Sequence, residues 1–187
     1  MAVLTLRRAA AIVALLLALA APPGRAQTPS APTEYQVKAV FLFNFSQFVD
    51  WPAASFANGR SPLIIGVLGD DPFGATLDEI VRGETVNGRP LAVRRYESIE
   101  QVDDCHILFV DRSQAGQLDA VVAALKERSV LTVGDFEGFT RHGGIIRFVT
   151  VANKIRLRVN LAAAQQAKLT ISSKLLRPAQ IVAPGDD

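Results

Sequence analysis

The sequence predicts an α/β fold: a mixed, mostly parallel sheet with helices on both faces and a C-terminal antiparallel β-hairpin. Three observations carry this expectation. The short apolar run at residues 63–69 is typical of a strand covered on both faces, and the largely apolar segments 106–110 and 130–133 read as further strands. Helix-length segments alternate with them, which implies βαβ units. Near the end the pattern changes to strict alternation, with Ile155, Leu157 and Val159 set against Arg156, Arg158 and Asn160, as in a strand with one wet face.

The first 26 residues read as an export signal. Arg7 and Arg8 precede an apolar run from Ala9 to Ala21, and Gly24-Arg25-Ala26 supplies a small-x-small cleavage pattern. The run is too short to span a bilayer, so a cleaved signal is expected rather than an anchor. An uncleaved anchor is the alternative, and either places the folded part outside the cytosol. Residues 27–33 form a Pro-rich linker. Thr33 then caps a helix that runs from Glu34 to about Val49, where Trp51-Pro52 ends it. Its apolar residues, Phe41 and Phe45 among them, cover far more than a one-third stripe. Either the domain itself buries this helix on several sides, or part of it faces a second subunit or a partner, with Phe41, Phe45 and Trp51 as contacts.

The turn-rich stretch Asn58–Pro62 leads into the first long strand, residues 63–69. A helix over 73–81, a strand over 89–95, the strand over 106–110, a helix over 115–127 and the strand over 130–133 follow. Gly143-Gly144 opens a hairpin of strands 145–151 and 154–160 around Ala152-Asn153, since Asn tolerates the left-handed backbone of a tight turn. That turn sets Arg147 opposite Arg158 and Val149 opposite Arg156, so three arginines share one face. Asn160 caps a helix over 161–167, and Ser172 or Ser173 caps a last short helix ending near Pro178. Residues 34–182 thus read as one domain with a tail at 183–187, a size that buries a sizeable core.

Composition excludes several function classes. The chain holds 20 Lys+Arg against 18 Asp+Glu, but three of the arginines lie in the signal, so the exported part is close to neutral. No net positive field remains to attract nucleic acid. The single cysteine, Cys105, cannot form an internal disulfide; it is a small half-buried filler or an intermolecular bridge. His106 and His142 have no ligand-spaced partners, so no metal or cofactor site is expected.

Two constellations remain. Three arginines at cross-strand distance repel unless a carboxylate or an anionic ligand sits among them, and Ser172 could add N–H donors to an anion held there. This makes Arg147, Arg156, Arg158 and Ser172 candidate residues for a small anionic ligand or an acidic partner patch; pairing with the chain's own carboxylates is the plainer alternative. The second constellation is acidic: Asp70-Asp71, Asp111 and Asp135 follow successive strands. It superficially resembles a phospho-acceptor site, but the element order differs, and turn aspartates capping the following helices explain it better. Gly-x-Ser-x-Gly, His-Glu-x-x-His, Ser-x-x-Lys and Gly-x-Gly-x-x-Gly motifs are absent, so no catalytic residue is assigned.

The ordered segments Lys38–Phe45 with Trp51-Pro52, Gly66–Gly74, Cys105–Val110, Leu131–Asp135, Gly143–Ile146, Asn160-Leu161 and Leu169–Leu176 together resemble the YfiR-like family of exported proteins. The resemblance implies a periplasmic α/β protein, often dimeric, that represses an inner-membrane diguanylate cyclase by binding its periplasmic sensor region, and so limits cyclic-di-GMP and biofilm without catalysis. A membrane sensor kinase is a further possible target, and a periplasmic sensor of anionic or nucleotide-like solutes is the competing function. Well-studied relatives carry disulfides, so redox control through an internal bridge does not carry over to a chain whose one cysteine is Cys105.

Overall fold

The computed structural model describes residues 32–187. The expected signal and the linker up to residue 31 lie outside the described residues. Helix α1 (Glu34–Phe48) starts where Thr33 predicts it. The Thr33 hydroxyl accepts the Gln36 N–H at 3.3 Å, and the Gln36 side chain accepts the Thr33 N–H at 2.7 Å, a reciprocal cap that satisfies two donors with no partner inside the helix. A two-residue strand β1 (Val49–Asp50) ends it.

The βαβ units then run as expected: β2 (Leu63–Leu68), α2 (Ala75–Val81), β3 (Thr85–Val86), β4 (Arg89–Tyr96), β5 (Ile107–Val110), α3 (Leu118–Leu125) and β6 (Leu131–Gly134). The C-terminal part comprises β7 (Ile146–Val151), β8 (Lys154–Asn160), α4 (Leu161–Gln166), β9 (Thr170–Ile171), α5 (Ser173–Leu176) and β10 (Gln180–Val182). Eight strands form one sheet in the order β10-β8-β7-β6-β5-β2-β4-β3. Strands β4, β2, β5, β6 and β7 are mutually parallel, β7 and β8 form the antiparallel hairpin, and β10 joins the edge parallel to β8.

Alternation along the central strands sorts the core into two layers. On β5, Ile107 and Phe109 pack with α1 and α2, whereas Leu108 and Val110 pack with α3. Helices therefore cover both faces, the arrangement that apolar parallel strands require. On the hairpin, Phe148, Leu157 and Val159 join the α1 layer. The opposite face carries the arginines.

Three local differences from the sequence expectation have plain causes. Helix α3 begins at Leu118 because the Asp111 side chain accepts the Ser113 N–H at 2.7 Å and winds Arg112–Gln117 as a 3₁₀ segment. A short hairpin joins β3 to β4 through Asn87-Gly88, with φ of 52° and 75°. Strands β1 and β9 pair over two residues each, Val49 with Ile171 and Asp50 with Thr170, across more than a hundred positions.

Candidate functional site

The hairpin turn has Ala152 at φ 48° and Asn153 at φ 57°, both left-handed, which matches the twist of the flanking strands and fixes their register. Arg147 stands opposite Arg158, and Val149 opposite Arg156, as the two-residue turn requires. Beside β8, β10 places Gln180 against Arg158, and the Arg158 Nε–H donates to the Gln180 side-chain oxygen at 3.3 Å.

The arginines divide into two environments. Arg156, Arg158 and Arg177 line a depression of about 330 Å³ together with Val149, Val151 and Gln180. None of the ion pairs among the described residues involves any of these three. They are a basic cluster without an internal counter-ion. Arg147, on the same strand face, is instead paired with Asp187 and 13% exposed. Ser172 does not line the depression. Its N–H donates to the Phe48 carbonyl at 2.8 Å, and its hydroxyl accepts the Lys174 N–H at 3.3 Å as the cap of α5. Arg177 was missing from the sequence expectation because only the β8–β10 pairing brings it to the hairpin.

The aromatic candidates also separate. Phe45 has no exposed surface and stacks on Phe148 with ring centroids 5.8 Å apart, so it is a core residue rather than a contact surface. Phe41 is half-buried, edge-on to Phe148 at 5.8 Å. Its neighbour Val40 is 45% exposed, an apolar side chain on an outer side of α1 that otherwise presents Gln36 and Gln47. Trp51 is half-buried and tied inward: its Nε1–H donates to the His106 carbonyl at 3.1 Å.

Trp51 belongs to a stack around His106. The imidazole lies on the Phe56 ring at 4.4 Å, and the Arg89 guanidinium covers Phe56 at 3.8 Å from its centroid. His106 Nδ1 accepts the Ile64 N–H at 3.1 Å, so the proton sits on Nε2, which donates to the Ser55 carbonyl at 3.1 Å. Burial pushes the His106 pKa below its ordinary value. A neutral, single-tautomer histidine here fastens the 51–62 segment to β2 and β5.

Of the strand-end aspartates, Asp71, Asp111 and Asp135 are engaged structurally through their side chains, whereas Asp70 is exposed and uses only its backbone N–H, which donates to the Ser113 hydroxyl at 3.2 Å. Asp71 accepts the Phe73 and Gly74 N–H groups at 2.8 and 3.2 Å and pairs with Arg95 at 2.8 Å; Asp111 caps its 3₁₀ segment. Asp135 is 5% exposed and receives Lys38 Nζ at 2.6 Å and the Tyr35 hydroxyl at 3.0 Å. Burial, with Asp135 next in weight, pushes the Tyr35 pKa up to about 12. This network pins α1 to the end of β6. The Glu34–Lys38 spacing of four was its only sequence signal. Among the described residues, no group of three or more His, Cys, Asp or Glu is placed to hold a metal ion, and no helix is long and apolar enough to cross a membrane.

A family model described as YfiR/HmsC-like matches residues 35–180, nearly the whole of the folded chain. No curated protein matches the sequence.

Proposed function

The chain belongs to the YfiR/HmsC-like family, and on that premise we propose that it is a periplasmic regulatory protein that binds the periplasmic sensor region of an inner-membrane signalling protein, a GGDEF-type diguanylate cyclase, and keeps it inactive. Residues 1–26 direct export and are cleaved; residues 34–182 act as one binding domain, without catalysis. Repression is a population shift. The regulator binds the inactive sensor better than the active one, and its release raises cyclic-di-GMP inside the cell. Moving a sensor from even populations to 99% inactive takes a preference of about 100-fold, ~2.7 kcal/mol, which a modest charged surface can supply.

The observation that supports this reading is the basic cluster of Arg156, Arg158 and Arg177, which has no paired carboxylate among the described residues and lies beside the exposed Val151 of the hairpin. Such a surface is complementary to an acidic patch on a partner. The outer side of α1, with the exposed Val40 and the half-buried Phe41, is the face we assign to a second copy in a homodimer. Deleting the gene should raise cyclic-di-GMP and biofilm, and deleting the cyclase as well should abolish the rise. A double deletant that keeps the phenotype rules out the cyclase and directs attention to a sensor kinase. Complementation with Arg156→Glu plus Arg158→Glu, on a folded chain, should fail to repress.

A second reading is a solute sensor, favoured by the size of the arginine-lined depression, which suits a small anion. Inorganic phosphate or a nucleoside monophosphate should then raise the melting temperature, and Arg158→Glu should remove the increase. An unchanged increase in that variant eliminates the depression as the site.

A further inference from the structure

Residues 183–187 leave β10 and return over the polar face of the hairpin, where the Asp187 side chain is 2% exposed. Its carboxylate accepts the Gly138 N–H at 2.6 Å, the Thr140 N–H at 3.3 Å and the Thr140 hydroxyl at 2.7 Å, and it pairs with the Arg147 guanidinium. Gly138 has φ +85°, a left-handed turn that helps two backbone N–H groups face one acceptor. Two amides, a hydroxyl and a guanidinium converging on one point are the donor set of an anion site.

The segment that delivers Asp187 is otherwise lightly held. Ala183, Pro184, Gly185 and Asp186 are exposed, and the backbone bond from Asp186 N–H to the Ala183 carbonyl ties the segment to itself rather than to the domain. The donors, by contrast, are built into the fold. Gly138 and Thr140 are buried, the Thr140 carbonyl is fixed by the Asn160 side chain at 3.2 Å, and Arg147 lies on β7. Arg147 Nε is buried and without a hydrogen-bond partner among the described atoms, so Asp187 leaves part of the donor set unused. An empty site would leave a nearly buried guanidinium unpaired, which is strongly unfavourable. The site therefore exchanges one anion for another rather than standing open.

We propose that Gly138, Thr140 and Arg147 form a receptor site for a carboxylate-bearing ligand, and that Asp187 is a tethered occupant which an incoming acidic group displaces. Burial opposes ionisation of Asp187, but the Gly138 and Thr140 hydrogen bonds and Arg147 outweigh it and hold its pKa below the ordinary value, so the occupant is charged at neutral pH. A tethered acid competes at an effective concentration on the order of millimolar. A free carboxylate must exceed that, or bring further contacts such as one to Arg147 Nε. Displacement would free the far end of β10, the strand whose Gln180 contacts Arg158. None of this rests on the signalling role proposed above.

The test uses the full chain and its Asp187→Ala variant, with the Gly138 and Thr140 amide resonances as readout. The probes are sodium acetate and a pentapeptide amide of the sequence of residues 183–187. In Asp187→Ala both amides should shift saturably with either probe, and in the unsubstituted chain the midpoint should rise at least tenfold. Adding Arg147→Gln to the variant should abolish the shifts. Comparable midpoints per carboxylate would identify a small acid as the ligand class, and a peptide midpoint at least tenfold lower would identify an acidic protein segment. Absence of saturable shifts in a folded Asp187→Ala chain, or equal shifts with sodium chloride, would overturn the proposal.

Discussion

Replacing Lys38 with Met tests whether α1 is held to the sheet by a buried charge. Lys38 is 3% exposed, and its ammonium lies 2.6 Å from Asp135, itself 5% exposed. At an effective dielectric of about 20 the Coulomb attraction at that distance is roughly 6 kcal/mol, but most of it offsets the desolvation of two ions. What a substitution exposes is the remainder, a carboxylate left buried with one neutral donor, the Tyr35 hydroxyl at 3.0 Å. Removing one partner of such a pair costs about 3–5 kcal/mol. Glu34, 45% exposed, adds little as the other partner of Lys38. Met keeps the apolar stem, so packing changes little. With a urea m-value of about 2 kcal/mol/M, the unfolding midpoint should fall by roughly 1.5–2.5 M. Adding Asp135→Asn removes the orphaned charge and keeps an acceptor for Tyr35, so the double variant should regain most of the loss. A Lys38→Met cost below about 1 kcal/mol, or a double variant no more stable than the single, would refute the reasoning.

The other predictions concern buried titrating groups. Because the folded-state pKa of His106 is depressed by burial, the unfolded chain binds the extra proton first. Stability should therefore be complete above about pH 6.5 and fall with acidification by at most ~1.4 kcal/mol per unit, before the carboxylates titrate. His106→Gln should flatten that limb in urea melts taken between pH 7 and 5, whereas an unchanged slope would reject the assignment. Cys105 is 6% exposed and burial pushes its thiol up to about 12, so its reaction with an aromatic disulfide at pH 8 should be slow in native protein and fast in urea. Fast labelling of the native chain would show that the thiol reaches the surface, as an intermolecular bridge requires.

The long elements were legible because their signals are local. Thr33, the apolar runs, Ala152-Asn153 and Asn160 each act over a few residues, and each element they predict is present. Asn87-Gly88 was equally local and marks β3, a strand too short for its own pattern to announce. What could not be read depends on distant pairing. Strands β1 and β9 offer two residues each, and β10 is defined by its parallel partner β8. Apolar character alone also could not tell Phe45, sealed against Phe148, from Phe41 four residues earlier, because both lie on a helix buried on more than one side. Gly134 and Gly144 look like turn glycines, yet a Cβ at either would run into the ring of Phe139, so their reason is packing.

The arginine face shows the same division in charge. Alternation alone places Arg147, Arg156 and Arg158 together, and nothing local distinguishes them. Arg147 is neutralised by a residue forty positions away, and Arg177 replaces it in the cluster because it lies three residues before Gln180, which β10 sets beside Arg158. One edge strand thus sits between both arginine environments: its start brings Arg177 to the depression, and the segment after its end carries Asp187 to Arg147. Loss of the Asp187 contact frees only the end of β10, but the parallel pairing spans just three residues. Fraying one end of so short a ladder weakens the whole of it. An acid that displaces Asp187 would therefore loosen the placement of Arg177 and Gln180, and so couple the carboxylate site to the geometry of the basic cluster.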